Sequence, residues 1–408
     1  MGLHRLVVVG ASLAGLRAVE AARRAGFAGS IVLVGDETHL PYDRPPLSKE
    51  FLATDAVAVP HFPGVAELAD ALGVELRLGA PATALDLGAR AVTADTEIPY
   101  DALLVATGVR ARTLPGQERL AGVHSLRTVE DATAIRTAIH AGGRIVIIGG
   151  GFIGSEVASA ALAHGRPATI VEAAPAPLAR SVGPVAGARL GELHARFGTE
   201  LRCGVGVAEL QGDGHVEAVL LADGTRLEAD LVVVGVGADP ATGWLEHAGL
   251  TLDDGVVCDE RLQAADGVWA AGDVARWRSL EFDTLLRLEH WTNAAEQAGH
   301  AVRNLLDPAA ATPYHHVPYF WSDWYGQRIQ FVGLAVGEPA LVLGGWDEDA
   351  FVALFRSGER LSGALTLNRR GDIMKYRNLI ASKASWDEAL AFAASRQRPA
   401  GSETRSAS

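Results

Sequence analysis

The chain has 408 residues, of which 49% are hydrophobic and 21% are charged, so it is long enough for two or three globular domains with buried cores. Its formal net charge of -13 argues against nucleic acid or an anionic membrane as the main partner, because both would repel it at long range. The two cysteines, Cys203 and Cys258, match no disulfide, metal-ligand or redox spacing, so no metal is expected and a reducing cytoplasm is favoured.

The N-terminal sequence predicts a strand, a helix and a second strand around a glycine-rich turn. The predicted elements are a strand over Leu6–Val9, a helix over Gly15–Ala25 and a strand over Ser30–Val34. The first apolar run is too short and too interrupted by glycine for an export signal or a membrane span. The turn keeps Gly10 and Gly15 but has Ser12 at the usual middle glycine, where a small hydroxyl side chain can bond a phosphate. Such a turn can also serve only to pack the helix against the strand.

The same order of elements recurs later in the chain. The predicted elements are a strand over Ile145–Ile148, a helix over Gly154–His164 and a strand over Ala168–Val171. Between the first strand and the helix, Gly149, Gly151 and Gly154 form a complete G-x-G-x-x-G. In this motif the glycines allow a tight turn, close approach of a pyrophosphate and close packing of helix on strand. The repetition predicts two dinucleotide-binding units.

An acidic residue follows each glycine turn by about twenty residues, the position from which a carboxylate binds a ribose. After the second turn this residue is Glu172, which would repel a 2'-phosphate and therefore favours NADH over NADPH. After the first turn it is Asp36, with Glu37 beside it.

The rest of the chain predicts an α/β protein with two Rossmann-like domains and a smaller C-terminal α+β domain. A Pro- and Gly-containing break at Gly108–Gln117 indicates a crossing between domains, and apolar strands after Asp230 and over Val268–Ala275 indicate a return to the first domain. The sequence becomes aromatic and strand-like from Pro313 and then helical. The predicted first dinucleotide-binding domain covers 1–112 and 240–312, and the predicted second one covers 113–239. The predicted C-terminal domain covers 313–395 and is followed by a flexible tail over 396–408.

Further motifs, added to the two turns, make the chain resemble flavoprotein reductases with two dinucleotide-binding domains. They are LPYDRPPLSK (40–49), LLVATG (103–108), GVGADP (235–240) and AAGDVA (270–275). The more specific marks PYDRPPLSK, EHWTNA and YFWSDWYG are similar to NADH-dependent ferredoxin reductases of oxygenase systems, of the putidaredoxin reductase and biphenyl dioxygenase reductase type. The resemblance spans nearly the whole chain and implies a glutathione-reductase-like architecture, with FAD in the first domain and NADH in the second.

The resemblance also implies which residues hold the cofactors. It assigns FAD to Gly10, Ser12, Gly15, Asp36, Lys49, Ala82, Arg127, Asp273 and Trp291. The predicted cofactor-binding set further contains Leu13, Ala14, Glu37, Arg44, Ala106, Thr107, Gly108, Phe152, Ile153, Arg180, Gly237, Gly272, His290 and Trp321. Asp273 would accept a hydrogen bond from a ribityl hydroxyl or, alternatively, cap a helix. Trp291 and Trp321 would flank the flavin edge or, alternatively, pack in domain cores.

Lys49 and Glu156 are the candidate catalytic residues. Lys49 follows a proline-stiffened loop and Glu156 lies in the first turn of the second nucleotide-binding helix, so we expect them to meet where nicotinamide stacks on flavin. A lysine beside the flavin stabilises the negative charge that develops as hydride arrives, and the glutamate neutralises that lysine otherwise. A purely structural salt bridge between domains is the alternative.

The expected partner is a 2Fe-2S ferredoxin that feeds a Rieske dioxygenase or a CYP-type haem monooxygenase. Related disulfide, peroxide and coenzyme A disulfide reductases use cysteines close to the flavin, and the loop RPPLSK has none, so one-electron transfer to an external protein fits. The alternatives are a rubredoxin reductase, an NADH-sensing flavoprotein with slow turnover, and a peroxide-forming oxidase. We expect a monomer or weak dimer.

A basic segment in the third domain is the candidate docking site for an acidic ferredoxin. The segment RRGDIMKYRNLIASK contains Arg369, Arg370, Lys375, Arg377 and Lys383 with one acid, Asp372. A solvated helix face without a partner is the alternative.

Overall fold

In the computed structural model, which describes residues 3–54 and 58–396, the first glycine turn lies in a mostly parallel sheet. The elements of this part are β1 (Arg5–Val9), α1 (Leu13–Arg24), β2 (Ser30–Val34), a 3-10 turn (Pro45–Ser48), α2 (Glu50–Ala53), α3 (Leu68–Leu72), β3 (Val74–Arg77), β4 (Ala84–Asp86), β5 (Ala91–Thr93), β6 (Glu97–Pro99), β7 (Ala102–Val105) and β8 (Val109–Ala111). β1 pairs in parallel with β2 and β7, and continuous Val and Leu runs form these strands because both faces of the sheet are covered. The predicted strand bounds agree within one residue, whereas α1 begins two residues before Gly15 because its N-cap is Ser12.

The second glycine turn lies in a five-stranded parallel sheet. The elements are a 3-10 turn (Gln117–Arg119), β9 (Val123–Ser125), α4 (Val129–Ala141), β10 (Ile145–Ile148), α5 (Phe152–Ala163), β11 (Ala168–Glu172), α6 (Ala179–Val182), α7 (Pro184–Arg196), β12 (Glu200–Cys203), β13 (Val207–Gly212), β14 (Val216–Leu221), β15 (Arg226–Glu228), β16 (Leu231–Val234) and β17 (Ala238–Pro240). The strand order is β12-β11-β10-β16-β9, and β13, β14 and β15 form a separate antiparallel sheet. β10, which leads into the turn, is therefore central and buried.

The chain then returns to the first sheet. The elements are a 3-10 turn (Gly243–Leu245), β18 (Val256–Cys258), β19 (Gln263–Ala265), β20 (Val268–Ala270), β21 (Ala275–Ser279), β22 (Thr284–Arg287), α8 (Trp291–Leu306) and a 3-10 turn (Pro308–Ala310). β20 pairs in parallel with β7, which completes the order β19-β20-β7-β1-β2-β3. The two crossings between the sheets, β8 and β17, pair side by side as an antiparallel ribbon. The predicted boundaries at 112/113 and 239/240 fall at this ribbon and stay predictions.

The C-terminal part is an antiparallel sheet with helices on one face. The elements are β23 (Tyr319–Trp324), β24 (Gln327–Gly333), β25 (Ala340–Leu343), β26 (Phe351–Ser357), β27 (Arg360–Leu367), α9 (Arg370–Ala381) and α10 (Trp386–Ser395). The strand order is β23-β24-β27-β26-β25. Of the predicted tail 396–408, all but Arg396 lies outside the described residues. No helix within the described ranges is long and apolar enough to cross a membrane.

The other face of this C-terminal sheet packs on the second dinucleotide-binding unit. Apolar side chains of α6 and α7 share one hydrophobic core with aromatic residues of the sheet, among them Phe320, Trp324 and Phe331. The edge strand β23 also contacts α5 and α8. This packing places β23 where all three parts of the chain meet.

Candidate functional site

The glycines of the two turns differ in what they do. A Cβ on Gly10 would lie 2.1 Å from the carbonyl oxygen of Ala106, and a Cβ on Gly149 would lie 2.2 Å from that of Gly235. Gly15 and Gly154 approach the backbone of their own turns, where a Cβ would meet a carbonyl oxygen at 1.9 and 2.1 Å. A Cβ at Gly151, by contrast, would meet no described atom within 4 Å. The middle position of the second turn is therefore open to a ligand, and the outer glycines serve packing.

The helices that follow the two turns start without side-chain caps. Among the described residues, the N-caps of α1 and α5, Ser12 and Gly151, make no side-chain capping hydrogen bond, and neither helix has an acidic residue in its first turn. In contrast, α4 and α10 begin with complete capping boxes at Thr128 and Ser385. Free amide groups and the positive end of the helix dipole bind anions. Both turns therefore fit the pyrophosphate of a dinucleotide.

A first cleft lies beside the first turn. Predicted residues that line it are Gly10, Ser12, Asp36, Glu37, Arg44, Ala82, Ala106, Thr107, Gly108 and Arg127. The Glu37 carboxylate accepts hydrogen bonds from the Tyr42 hydroxyl and the Arg44 guanidinium, and burial with this carboxylate beside it raises the pKa of Tyr42. Asp36 is 62% exposed, with Arg110 4.0 Å away. Asp36 is therefore the acid available to a ribose, and Glu37 positions Arg44.

Arg44 joins the turn to the opposite wall of this cleft. Its guanidinium donates to Ser12 Oγ at 3.3 Å and to the carbonyl oxygen of Arg127 at 2.6 Å. The Arg127 guanidinium lies 3.5 Å from the Asp273 carboxylate. Asp273 is followed by β21, so the helix-cap alternative for this residue is wrong. Two guanidinium groups thus lie beside the uncapped start of α1, which suits a pyrophosphate.

A second cleft continues from the first toward the C-terminal sheet. Predicted residues that line it are Ser12, Leu13, Ala14, Arg44, Lys49, Ala106, Gly108, Arg127, Gly151, Phe152, Ile153, Glu156, Gly237, Gly272, Asp273, His290, Trp291 and Trp321. At its base, Lys49 Nζ lies 2.7 Å from the Glu156 carboxylate, of which only 3% is exposed. The expected meeting of these two residues is confirmed. Glu156 is placed here by α5, in which it directly follows the first turn, and Lys49 is placed by the proline-stiffened 3-10 turn.

The aromatic wall of the second cleft comes from α8 and β23. Trp291, the first residue of α8, donates its indole N–H to the Asp43 carboxylate at 2.7 Å, and burial raises the pKa of Asp43. Trp321 lies edge-on to Trp291, with ring centroids 6.2 Å apart, and Arg328 lies over its ring at 5.2 Å. Side chains of β23 alternate, so Trp321 points away from the core face that carries Trp324. The alternative of a core role for Trp321 is wrong.

A third cleft lies beside the second turn. Predicted residues that line it are Gly149, Gly151, Phe152, Glu172, Arg180 and His290. Glu172 accepts backbone hydrogen bonds from Gly150 and Ala174, each at 2.8 Å, which fixes its carboxylate at the end of β11. His290 faces the second and third clefts, and burial lowers its pKa to about 3, so it is neutral at pH 7. The second and third clefts also share Phe152. A nicotinamide that entered from the third cleft would therefore meet a flavin in the second.

Sequence reasoning missed several polar residues of the site. Tyr42, Asp43 and Ser48 lie in the segment PYDRPPLSK, and Ser322 lies in YFWSDWYG. Ser48 and Ser322 both bond to Glu156, although they are 274 positions apart in the chain and on different domains. The motifs indicated that these segments matter, but no spacing in the sequence could indicate that the hydroxyl groups of Ser48 and Ser322 meet at one carboxylate.

The predicted basic docking segment is only partly free. The buried carboxylate of Asp372 lies 2.7 Å from both Arg369 and Arg396, and Arg377 bonds to Glu296. Arg369 and Arg377 are therefore paired with acids of their own domain or of α8, and the docking role of the segment stays a prediction. Arg370 and Lys375 are exposed on α9, and Lys383 is exposed after it.

Two family models match the chain. Residues 4–298 match the model described as pyridine nucleotide-disulphide oxidoreductase, and residues 319–397 match the model described as reductase C-terminal. The first alone covers more than half of the chain.

Individual proteins match over nearly their full length. The ferredoxin–NAD(+) reductase component of the p-cumate 2,3-dioxygenase system of Pseudomonas putida is 37% identical over 94% of this chain and 95% of that protein. A rubredoxin–NAD(+) reductase of Pseudomonas putida is 35% identical over 89% of this chain and 95% of that protein. The crystal structure of a covalent putidaredoxin reductase–putidaredoxin complex aligns with a TM-score of 0.89 and 32% identity, covering 97% of this chain and 100% of that one.

Proposed function

The chain belongs to the pyridine nucleotide-disulphide oxidoreductase family and is an oxidoreductase that uses FAD and NAD(H), and we propose that its electron acceptor is a 2Fe-2S ferredoxin. The ferredoxin would in turn supply an oxygenase of the Rieske or CYP-type haem class. Two relatives support this acceptor: the reductase component of a dioxygenase system and the reductase solved in complex with putidaredoxin.

One observation carries the proposed mechanism: the uncapped starts of α1 and α5, Ser12 and Gly151, both line the cleft that contains the Lys49–Glu156 pair. When bound, FAD supplies the chemistry of taking a hydride from NADH and releasing two electrons one at a time. The first cleft would hold FAD through the start of α1, with Arg44 and Arg127 beside its phosphates and Asp36 on its ribose. The third cleft would hold NADH through the start of α5, with Glu172 on the adenine-side ribose.

Lys49 would supply positive charge where electron density increases during reduction. The Lys49 side chain is only 19% exposed and its ammonium group lies against the buried Glu156 carboxylate, so water screens it little. Glu156 would keep this cation in place and compensate its charge before reduction. The Asp43–Trp291 hydrogen bond would hold the indole ring against the flavin side of the cleft.

The electrons must leave without a protein thiol at this site. No cysteine lines the second cleft among the described residues, and Ser48 lies in the loop where related disulfide reductases carry cysteine. Trp321, at the mouth of the cleft beside Arg328, would lie on the exit path to a docked acceptor. We further propose that the protein is a monomer or weak dimer and acts in the cytoplasm, where NADH and ferredoxin are present.

The test is NADH-dependent reduction of a panel of 2Fe-2S ferredoxins and a rubredoxin by the FAD-loaded protein, read through cytochrome c. We expect rapid turnover with at least one ferredoxin and slow turnover with rubredoxin. Faster turnover with rubredoxin would favour the activity named for the rubredoxin reductase relative. Slow reduction of every carrier would favour an NADH-sensing flavoprotein, and rapid NADH consumption with oxygen alone would indicate an oxidase.

A further inference from the structure

The Glu156 carboxylate belongs to the second domain and is bound by residues from both of the other domains. Lys49 Nζ lies 2.7 Å from Oε2, and the Ser48 hydroxyl donates to the same oxygen at 2.5 Å. From β23 of the C-terminal domain, the Ser322 hydroxyl donates to Oε1 at 2.5 Å. Ser48 and Ser322 are both buried, so water does not replace these bonds. The candidate catalytic pair therefore extends into a third domain.

Trp324 fixes the direction of the hydrogen bond from Ser322. The indole N–H of Trp324, which can only donate, bonds to Ser322 Oγ at 2.8 Å. Within the described residues, Trp324 and Glu156 are the two partners of Ser322 Oγ, so the serine proton has one acceptor, Glu156 Oε1. A proton on Oε1 would leave the buried serine hydroxyl without an acceptor, which is unfavourable. A proton on Oε2 would have to compete with Lys49 and Ser48.

Other charged and titratable side chains line the same cleft as Glu156. Asp43 is bonded to Trp291, and the others besides Lys49 are Arg44, Arg127, Asp273, Glu289 and His290. On β23, Asp323 is paired with Arg328, and Glu50 of α2 is exposed. From α7, His194 bonds to Ser155, the residue before Glu156, and is neutral at pH 7 because burial lowers its pKa to about 4. Lys49 and the two serines are the residues that contact the Glu156 carboxylate directly.

We propose that Ser322, oriented by Trp324, is a positioning residue that keeps Glu156 ionised and thereby keeps Lys49 paired with it at the hydride-transfer site. The C-terminal domain is then a structural part of that site in addition to any role in docking the acceptor. This inference rests on the roles proposed above for Lys49 and Glu156.

The first measurement is an infrared pH titration of the FAD-loaded, oxidised protein without NADH. The protonated carboxyl band of Glu156 is assigned by its loss in Glu156→Gln. In Ser322→Ala we expect its midpoint to rise by about one pH unit, because a donor to the ionised form is lost. Trp324→Phe keeps an aromatic ring, though a smaller one, and removes the N–H, and we expect a smaller rise. The matched control is Ser362→Ala, another buried serine of the same sheet whose hydroxyl has no partner among the described residues.

The second measurement is the pH profile of flavin reduction by NADH in stopped flow. In Ser322→Ala we expect the acidic limb of the rate profile to move to higher pH by the same amount as the infrared midpoint. In Ser362→Ala we expect no change of the rate profile. An unmoved infrared midpoint in Ser322→Ala overturns the role of Ser322. A moved midpoint with an unmoved rate profile upholds the Ser322–Glu156 coupling but overturns the proposed catalytic role of the Lys49–Glu156 pair. If Ser322→Ala does not fold or bind FAD, the midpoint of Trp324→Phe decides.

Discussion

Three glutamates near the clefts show that the neighbours of a carboxylate decide what it can bind. Both oxygens of the Glu37 carboxylate accept hydrogen bonds, one from Tyr42 and one from Arg44, so Glu37 supports the wall of the first cleft. Glu172 bonds to two backbone amides and still lines the third cleft. The Glu156 carboxylate is contacted by two hydroxyl groups and an ammonium group, so it pairs with a cation inside the protein. The same residue type therefore supports the wall of one cleft, lines another cleft and pairs with a lysine in a third place.

The preference for NADH is expected to depend on the charge of Glu172. Glu172→Gln keeps the size of the side chain and one backbone acceptor, so the end of β11 stays in place. We expect kcat/KM for NADH to fall about tenfold and the ratio of NADH to NADPH efficiency to fall with it, because a charged hydrogen bond to the ribose is lost. Glu217→Gln, at an exposed glutamate of the same domain, is the control. Equal efficiency with both cofactors in the unmodified protein would contradict this prediction.

The charge of Lys49 is expected to set the rate of flavin reduction. Lys49→Met keeps most of the side-chain volume but removes the ammonium group that lies 2.7 Å from Glu156. We expect slower reduction by NADH in stopped flow and a lower flavin potential, since the reduced flavin loses a stabilising cation. Lys383→Met, at an exposed lysine of the C-terminal domain, is the control. An unchanged rate and potential would assign Lys49 to a structural salt bridge.

At the scale of elements, α7 and β23 form a buried, largely aromatic contact between domains. His194 of α7 stacks on Trp324 with ring centroids 4.9 Å apart, and its Nδ1 lies 2.8 Å from the hydroxyl of Tyr325. Opening the domains here would expose this core to water. The element that carries Ser322 is therefore held firmly against the domain that carries Glu156.

The buried His194 is expected to make this contact sensitive to acid. Burial lowers its pKa to about 4, compared with 6.5 when unfolded, so the unfolded chain binds the proton more tightly between these values. Stability is then complete above pH 6.5 and falls as pH falls toward 4, by roughly 3 kcal/mol. We expect His194→Gln to flatten the pH dependence of the denaturation midpoint in this window. His247→Gln, at an exposed histidine, should keep the original slope, and the prediction fails if both variants behave alike.

The elements differ in how much of them the sequence could predict. The strands next to the glycine turns were predicted within a residue, because continuous Val, Ile and Leu runs form only buried parallel strands here. The starts of α1 and α5 were placed two residues late, because the motif glycines were taken as helix starts although Ser12 and Gly151 are the N-caps. The bonds of Ser48 and Ser322 to Glu156 depend on the packing of three domains, which no local pattern encodes.

At the scale of the whole molecule, an acidic protein has to attract a partner that we expect to be acidic as well. With a net charge of -13, long-range attraction is absent, so encounter depends on local cations. The exposed cations of α9, Arg370 and Lys375, belong to the same domain as Trp321, whereas Arg369 is held by Asp372. Arg328, which lies over the ring of Trp321 but is paired with Asp323, is a second candidate.

The last prediction locates the docking surface with a double charge reversal. If α9 docks ferredoxin, Arg370→Glu with Lys375→Glu should raise the apparent KM for ferredoxin and flatten its salt dependence, because rim charges act mainly on the association rate. Reduction of ferricyanide should stay the same, since hydride transfer does not involve α9. The matched control reverses Arg24 and Arg119, which are 77% and 83% exposed outside the C-terminal domain. If the α9 pair and this control change ferredoxin turnover equally, docking depends on other cations, and Arg328 followed by Arg303 are the residues to reverse next.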